Sequence, residues 1–165
     1  MPKRLPKLPD TGRFWLFKSE PSVFSFDDLL AAKGRRTHWD GVRNYQARNL
    51  LRDEIRKGDG VLFYHSSTKP LAIAGIARVA KAGYPDHTAF DESDPHYDPD
   101  SDPADPRWFM VDIEAVCACD PVLDRDQLVA SPALQDMMLL RRGSRLSVQP
   151  VKPAEWRAVL QLAGL

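Results

Sequence analysis

The chain has 165 residues, 43% of them hydrophobic and 28% charged, which fits a single globular domain with a substantial core. Residues 1–12 are basic and proline-rich and lack the apolar core of a signal peptide or membrane anchor, and no later run is apolar enough to span a bilayer. We therefore expect a disordered N-terminal tail over residues 1–12 and one domain over residues 13–165.

The net charge is zero, which by itself argues against a nucleic-acid partner. The charge is unevenly distributed, however, because residues 86–106 contain eight acidic residues and no lysine or arginine. The remainder of the chain consequently carries eight more basic than acidic residues. This distribution predicts a mildly basic body with one acidic, Asp/Pro-rich loop, so that a local positive face is possible.

The first third of the chain predicts a strand followed by two helices. The aromatic run at residues 13–18 is typical of a strand, which Pro21 ends because proline cannot continue a ladder. Ser25 is a candidate N-cap for a short helix that Gly34 closes. Apolar residues with helical spacing then predict a second helix over residues 44–56.

The rest of the chain interleaves strands with short helices. Strands are predicted at residues 61–65, 71–79, 108–116 and 145–148, and helices within 124–140 and at 153–162. Residues 84–106 are too polar to add much core and are expected to form a solvated connection. This order of elements favours a compact mixed domain, such as a closed or nearly closed barrel.

Two cysteines and many aspartates raise the question of a metal site. Cys117 and Cys119 would share one face of a strand but are poorly placed to bridge each other, and their spacing does not fit a zinc site. The run at residues 91–105 lacks the central glycine and the closing glutamate of a calcium loop. We expect two buried, free thiols, a solvated acidic loop, and neither a metal nor a cofactor.

Residues 39–49 combine aromatic, amide and guanidinium groups at the predicted start of the second helix. Aromatic rings stack on bases, amides read base edges and guanidinium groups hold phosphate. Trp39 has polar neighbours, which favours a place in a pocket over one in the core. Arg43 and Asn44 lie where unpaired backbone N–H groups of a helix start favour an anion.

Other residues of this region have two interpretations. Arg48 and Arg52 recur on one face of the predicted helix, where a solvated surface and a phosphate-contacting role are equally open. Tyr45 can present its ring to a base or bury the ring and donate its hydroxyl.

An enzymatic alternative would use His65 with Ser66 or with a nearby carboxylate. Adjacent residues on a strand point apart, and no third group is seen that would orient them. Phosphate-loop and nucleophile-elbow patterns are also missing from the sequence. A nucleotide-modifying or hydrolytic enzyme is therefore the second hypothesis, and a domain that binds another planar ligand is the third.

Several segments resemble the hallmark motifs of the EVE domain family. They are residues 14–21 (FWLFKSEP), 39–49 (WDGVRNYQARN), 58–66 (GDGVLFYHS), 74–77 (AGIA), 84–86 (YPD), 106–108 (PRW) and 145–148 (RLSV). The resemblance covers nearly all of residues 13–165. It implies an α+β, PUA-like fold related to YTH and ASCH domains: a twisted, mostly antiparallel β-barrel flanked by short α-helices.

The resemblance also implies a non-catalytic domain that binds DNA or RNA and accepts a flipped, modified base, such as a modified cytosine, in an aromatic and polar pocket. The implied pocket residues are Trp15, Lys18, Ser19, Trp39, Asn44, Tyr45, His65 and Ser66. The residues expected near the nucleic-acid backbone are Arg43, Arg48 and Arg52. We expect a cytoplasmic protein that associates with the nucleoid or RNA in a bacterium, or a nuclear protein in a eukaryote.

Overall fold

The computed structural model describes residues 7–10 and 12–165 and contains one six-stranded sheet. The strands are β1 (Phe14–Ser19), β2 (Arg36–His38), β3 (Gly60–His65), β4 (Ala72–Pro85), β5 (Phe109–Asp124) and β6 (Val148–Val151). Their order in the sheet is β2-β5-β4-β3-β1-β6, and every neighbouring pair is antiparallel except β1 and β3. The predicted twisted, mostly antiparallel architecture is present. In the described part of the chain the edge strands β2 and β6 do not pair, so the sheet is open and does not close into the expected barrel.

Short helices flank the sheet, as the sequence predicts. The α-helices are α1 (Phe26–Ala31), α2 (Tyr45–Asn49), α3 (Arg125–Val129) and α4 (Pro153–Leu162). Ser25 caps α1 through a hydrogen bond from the backbone of Asp28, and Pro153 opens α4, so both predicted starts are confirmed. The predicted second helix exists in two parts, because α2 continues as a π-helical turn over Leu50–Glu54.

Three features of the sheet differ from the sequence prediction. The edge strand β2 is missed because three residues are too few to show an alternating pattern. The last strand, predicted at 145–148, instead begins at Val148 and includes Pro150, which an edge strand tolerates because one side of it has no partner. The strands β4 and β5 are longer than predicted and pair along most of their length.

The sheet separates two hydrophobic clusters, one on each face. Trp15 and Phe17 of β1 belong to the cluster that α1 and α2 cover, here called the first face. Phe14 and Leu16 of the same strand belong to the cluster that α3 and α4 cover, the second face. Because side chains alternate along a strand, β1 is buried on both sides and is a central element of the fold.

A close approach on the first face fixes α1 against the sheet. A Cβ atom at Gly75 of β4 would lie 2.3 Å from the ring of Phe26. The Phe26 ring also packs edge-on against Phe63 of β3 with ring centroids 5.3 Å apart. The glycine therefore makes room for the first residue of α1 at the level of the strands.

The N-terminal tail is packed where the structure describes it. Residues 1–6 and 11 of the predicted tail lie outside the described residues. Leu8 packs against the cluster of the second face, and the Arg78 guanidinium donates a hydrogen bond to the carbonyl oxygen of Lys7 at 3.0 Å. These contacts differ from the disorder that was expected for this stretch.

Both cysteines are free thiols, as predicted. Cys119 is buried and Cys117 is half-buried, which corrects the expectation that both are fully inside. Burial raises the pKa of Cys117 and raises that of Cys119 to about 11. Among the helices of residues 7–10 and 12–165, none combines the length and the apolar run that a bilayer crossing requires.

The acidic segment 86–106 is anchored to the first face rather than fully solvated. Asp86 is completely buried, and its Oδ1 accepts a hydrogen bond from the Thr88 backbone at 2.9 Å. Its Oδ2 accepts from the Gly41 backbone at 2.8 Å and from Nη1 of Arg43 at 2.9 Å. Burial alone would raise the pKa of Asp86, but the hydrogen bonds from Thr88, Gly41 and Arg43 outweigh it and hold that pKa below its usual value.

We predict that Asp86→Asn destabilises the fold by about 3 kcal/mol, because it leaves the partly buried Arg43 cation without its counter-charge. A carboxyl with a lowered pKa stabilises the fold above its unfolded-state pKa of about 3.9, and that contribution disappears as the pH falls through the folded-state pKa. Thermal unfolding at pH 7 and at decreasing pH measures both effects. The exposed Asp105→Asn is the matched control; equal melting temperatures for the two variants at pH 7 would contradict the prediction.

Candidate functional site

A recess of about 560 Å³ opens where β1 ends, beside the segment that follows β2. Its walls comprise residues 18–20, 23–24, 37–43, His96 and Ser147. Four distant parts of the chain therefore meet there: the end of β1 with its following turn, the β2 region, the acidic segment and the approach to β6. The volume lies within the range of pockets that bind small ligands.

Trp39 belongs both to the core and to the wall of this recess. Its ring packs against Phe17 and Phe63 with centroid distances of 5.2 and 5.5 Å, and 9% of its surface is exposed. Its backbone N–H donates to the Val111 carbonyl at 2.7 Å, which continues the contact of β2 with β5. The ring is thus fixed, and its remaining open surface faces the recess.

The strand end supplies two polar residues to the recess. Nζ of Lys18 donates to the carbonyl oxygen of Ser144 at 3.1 Å, and burial lowers the pKa of Lys18. The Ser19 hydroxyl donates to the carbonyl oxygen of Phe24, while its own carbonyl accepts from the Ser66 backbone at 2.9 Å. Lys18 is therefore the more available donor of the two, since an ammonium group carries three N–H bonds.

His96 reaches the recess because Gly41 leaves space for it. Gly41 has a φ of 79°, and a Cβ atom there would lie 2.5 Å from the His96 ring. Nδ1 of His96 lies 3.4 Å from a carboxylate oxygen of Asp40 and equally far from one of Asp94. These three residues offer possible metal-ligand atoms within 4.8 Å of one another, a spacing that exposed acidic groups often show without an ion.

Arg43 lines the recess, but its donors are directed into the protein. Nε and Nη2 donate to the His96 carbonyl at 3.2 and 2.7 Å, and Nη2 also donates to the Thr88 hydroxyl at 3.3 Å. Nη1 donates to Asp86 and to the Val42 carbonyl. A guanidinium group has five N–H bonds, and these partners occupy all five.

Four of the predicted site residues meet at the recess: Lys18, Ser19, Trp39 and Arg43. Trp15 lies in the core, where its Nε1 donates to Asp59 at 2.9 Å. Asn44 caps α2 by accepting from the Ala47 backbone at 3.0 Å. Ser66 lies outside the recess wall, and its backbone N–H donates to the carbonyl oxygen of Ser19, which is part of that wall.

His65 holds α1 rather than facing the recess. Its Nε2 accepts a hydrogen bond from the Phe26 backbone at 3.1 Å, which requires that nitrogen to be unprotonated. Burial lowers the pKa of His65, in agreement with a neutral ring. Within the residues that the structure describes, no hydrogen bond joins His65 to Ser66.

Arg48 and Arg52 lie beside a second, smaller groove of about 300 Å³. Its walls also include Arg107 and three aspartates of the acidic segment, Asp100, Asp102 and Asp105. Nη1 of Arg48 donates to the Arg107 carbonyl at 2.6 Å, and Arg52 forms an exposed pair with its neighbour Asp53. Exposed pairs of this kind contribute little to stability, so the cation of Arg52 is available to a stronger partner.

Another groove, of about 680 Å³, lies elsewhere, between residues 67–71 and 124–126. It contains none of the predicted site residues. It is an open surface groove without an aromatic wall, so the smaller recess at Trp39 is the better candidate for holding a planar ligand.

Sequence reasoning missed three kinds of recess residue. Glu20 and Ser147 lie inside the FWLFKSEP and RLSV motifs, so their positions carried a usable signal. Thr37 and His38 lie on the short strand β2, which the pattern did not reveal. His96 comes from the acidic segment, and nothing in the local sequence indicates that this segment folds back onto Gly41.

Comparisons with known proteins agree with this architecture. The family model described as EVE domain matches residues 13–162. Thymocyte nuclear protein 1 of Homo sapiens is 40% identical over 172 residues, which cover 94% of this chain and 76% of that protein.

Solved structures show the same fold. The crystal structure of human THYN1 protein in complex with 5-methylcytosine-containing DNA is 40% identical, with a TM-score of 0.84 over 93% of this chain and 98% of that one. The YTH domain of Zygosaccharomyces rouxii MRB1 protein, at 16% identity and a TM-score of 0.55, covers 99% of this chain and 93% of that one and shares the fold alone. The agreement of sequence and structure over nearly the whole chain establishes that this protein is a member of the EVE domain family.

Proposed function

We propose that this chain binds nucleic acid and holds one modified base, turned out of its stack, in the recess at Trp39, without changing the base chemically. The recess itself carries the proposal: an open cavity of about 560 Å³ with a fixed tryptophan in its wall. A relative with 40% identity was crystallised with DNA containing 5-methylcytosine, which makes a methylated cytosine the first ligand to test.

The free energies are compatible with such a reader. Turning a base out costs a few kcal/mol, least when the strand is already unpaired. Stacking on an aromatic ring returns ~1–3 kcal/mol, and burying one methyl group adds ~0.8 kcal/mol. We therefore expect modest affinity, with a preference for the methylated base of about fourfold.

The residues divide into those that touch the base and those that hold the walls. In this proposal Trp39 contacts the base plane and Lys18 Nζ donates to an acceptor on the base edge. Arg43 keeps the recess in shape through its bonds to Asp86 and His96. Ser19 is part of the recess wall, and the remaining implied pocket residues lie outside the wall: Trp15, Asn44, Tyr45, His65 and Ser66.

Arg48 and Arg52 are the proposed contacts to the nucleic-acid backbone. Both lie on the helical segment that begins next to the recess, and the Arg52 ion pair is exposed. We accordingly propose that the protein occurs where nucleic acid is, in the nucleus of a eukaryote or on nucleoid or RNA in a bacterial cytoplasm.

A non-catalytic role is favoured because the histidine of the enzymatic alternative is engaged elsewhere. Nε2 of His65 already accepts the Phe26 N–H, so it has no lone pair with which to activate Ser66. Incubation of the protein with a methylated oligonucleotide, with and without divalent metal, tests the alternative. A new product mass would favour the enzyme, and an unchanged, retained ligand would favour the reader.

We predict that Trp39→Phe removes most of the preference for 5-methylcytosine over cytosine, because the smaller ring leaves a gap beneath the base. Fluorescence titration of methylated and plain oligonucleotides measures the ratio of the two affinities. Trp156→Phe is the matched control, since Trp156 is equally a buried tryptophan but stacks on Phe14 in the second face. Similar affinity ratios in the two variants would count against the assignment of the recess.

We also predict that Arg52→Gln lowers affinity for methylated and plain oligonucleotides alike, since a phosphate contact does not read the base. The slope of log affinity against log salt concentration should flatten by about 0.9 for each phosphate that is no longer neutralised. Arg141→Gln removes the same charge from an exposed site whose Nη2 donates to the Asp136 carbonyl. A slope that changes equally in both variants would remove Arg52 from the backbone-contacting set.

A further inference from the structure

A chain of four planar side chains stands beside the recess. The guanidinium carbon of Arg43 lies 5.4 Å from the centroid of the Trp108 ring. The Trp108 ring stacks on Tyr45 with centroids 4.9 Å apart and an interplanar angle of 28°. The guanidinium carbon of Arg48 lies 5.0 Å from the centroid of the Tyr45 ring. We call Arg43, Trp108, Tyr45 and Arg48 the cation–aromatic stack.

Each neighbour of Tyr45 in this stack is itself held in place. Trp108 is buried, and its Nε1 donates to Asp98 at 2.7 Å. Arg43 is bound to Asp86, and Arg48 donates to the Arg107 carbonyl. The Tyr45 ring therefore loses little further conformational freedom when it meets a partner.

Tyr45 is nevertheless 53% exposed, the second largest exposure among the bulky apolar side chains of the described residues after Val23 at 77%. Arg43 lines the recess and is joined to Tyr45 through Trp108, so the exposed ring belongs to the segment that follows the recess wall. Gln46, the next residue, is exposed too and offers an amide beside the ring.

We propose that Tyr45 is a wedge that enters a double helix next to the extruded base, so that the nucleic acid recognised is double-stranded. This inference rests on the proposed function of the recess. Extrusion of a base from a duplex leaves a gap between its neighbours, and a side chain inserted there recovers part of the lost stacking. A single strand has no such gap to fill, so a wedge differs from a general stacking contact in that its loss weakens duplex binding alone.

The charges around Tyr45 fit the same partner. Arg48 covers the ring from the side of α2, and Arg52 follows one turn later at the edge of the second groove. The phosphates on either side of an inserted ring would lie within reach of these cations. The wedge and the backbone contacts thus belong to one surface, formed by the segment 45–52.

The experiment compares Tyr45→Ala and Tyr45→Phe with the unmodified protein on three probes. The probes are a single strand with one 5-methylcytosine, the same strand in a matched duplex, and a duplex in which the methylcytosine faces a mismatched base. Val129→Ala, which alters a side chain of similar exposure (51%) at the end of α3, is the control variant. Thermal unfolding of each variant checks that the fold is intact.

We expect Tyr45→Ala to lower affinity for the matched duplex about tenfold and to leave single-strand affinity unchanged. The loss should shrink on the mismatched duplex, where opening the base costs less. Tyr45→Phe should retain duplex affinity, because the ring and not the hydroxyl fills the gap. A 2-aminopurine next to the methylcytosine should brighten when the unmodified protein binds, and less so with Tyr45→Ala.

Equal losses on single strand and duplex would overturn the wedge and make Tyr45 a general contact. No loss on either probe would overturn it as well. If the protein in these cases still binds the methylated single strand more tightly than the plain one, the proposed function of the recess is retained and only the wedge is rejected. If the unmodified protein binds none of the probes, the proposed function itself fails and this inference fails with it.

Discussion

One buried carboxylate organises the surface that carries the recess. Asp86 takes no part in the core pattern of the strands, yet it is fully inside and joins the end of β4 to Gly41 and Arg43. These bonds hold the segment after β2 against the start of the acidic segment, and His96 adds contacts with Gly41 and Arg43 further along. A buried charge is tolerated because every hydrogen bond to it comes from a fixed donor, and the cost of leaving that charge unpaired keeps the arrangement in one conformation.

The same carboxylate explains why Arg43 differs from the arginines further along the chain. Arg43 is nearest to the recess, but Asp86 and the His96 carbonyl use its N–H groups, so it acts as part of the wall. Its planar group then rests against Trp108, and Trp108 against Tyr45. Arg48 and Arg52, further along the helical segment, are the arginines proposed to contact phosphate. Although the chain has no net charge, arginines are thus grouped at the second groove, whose wall also contains aspartates of the acidic segment.

Local patterns predicted most of the elements and part of the site. Some features are encoded within a few residues and can therefore be predicted from the sequence. They are the cap at Ser25, the helix start at Asn44 and the aromatic strand β1. Trp39 was assigned to a pocket from its polar neighbours, and it lies at the recess, although it is also packed in the core. His65 was implied as a pocket residue, whereas its observed contact is with the Phe26 backbone 39 residues earlier in the chain, which no local pattern reveals. His96 and the buried state of Asp86 likewise depend on contacts between distant segments, which composition and spacing do not reveal.

The two-sided burial of β1 has a practical consequence. Trp39 packs within the cluster of the first face, whereas Phe14, Leu16 and Trp156 pack on the opposite side of the sheet. No member of that opposite cluster forms part of the recess wall. Volume-conserving substitutions in that opposite cluster, or dyes attached to its solvent side, should therefore leave the walls of the recess unchanged.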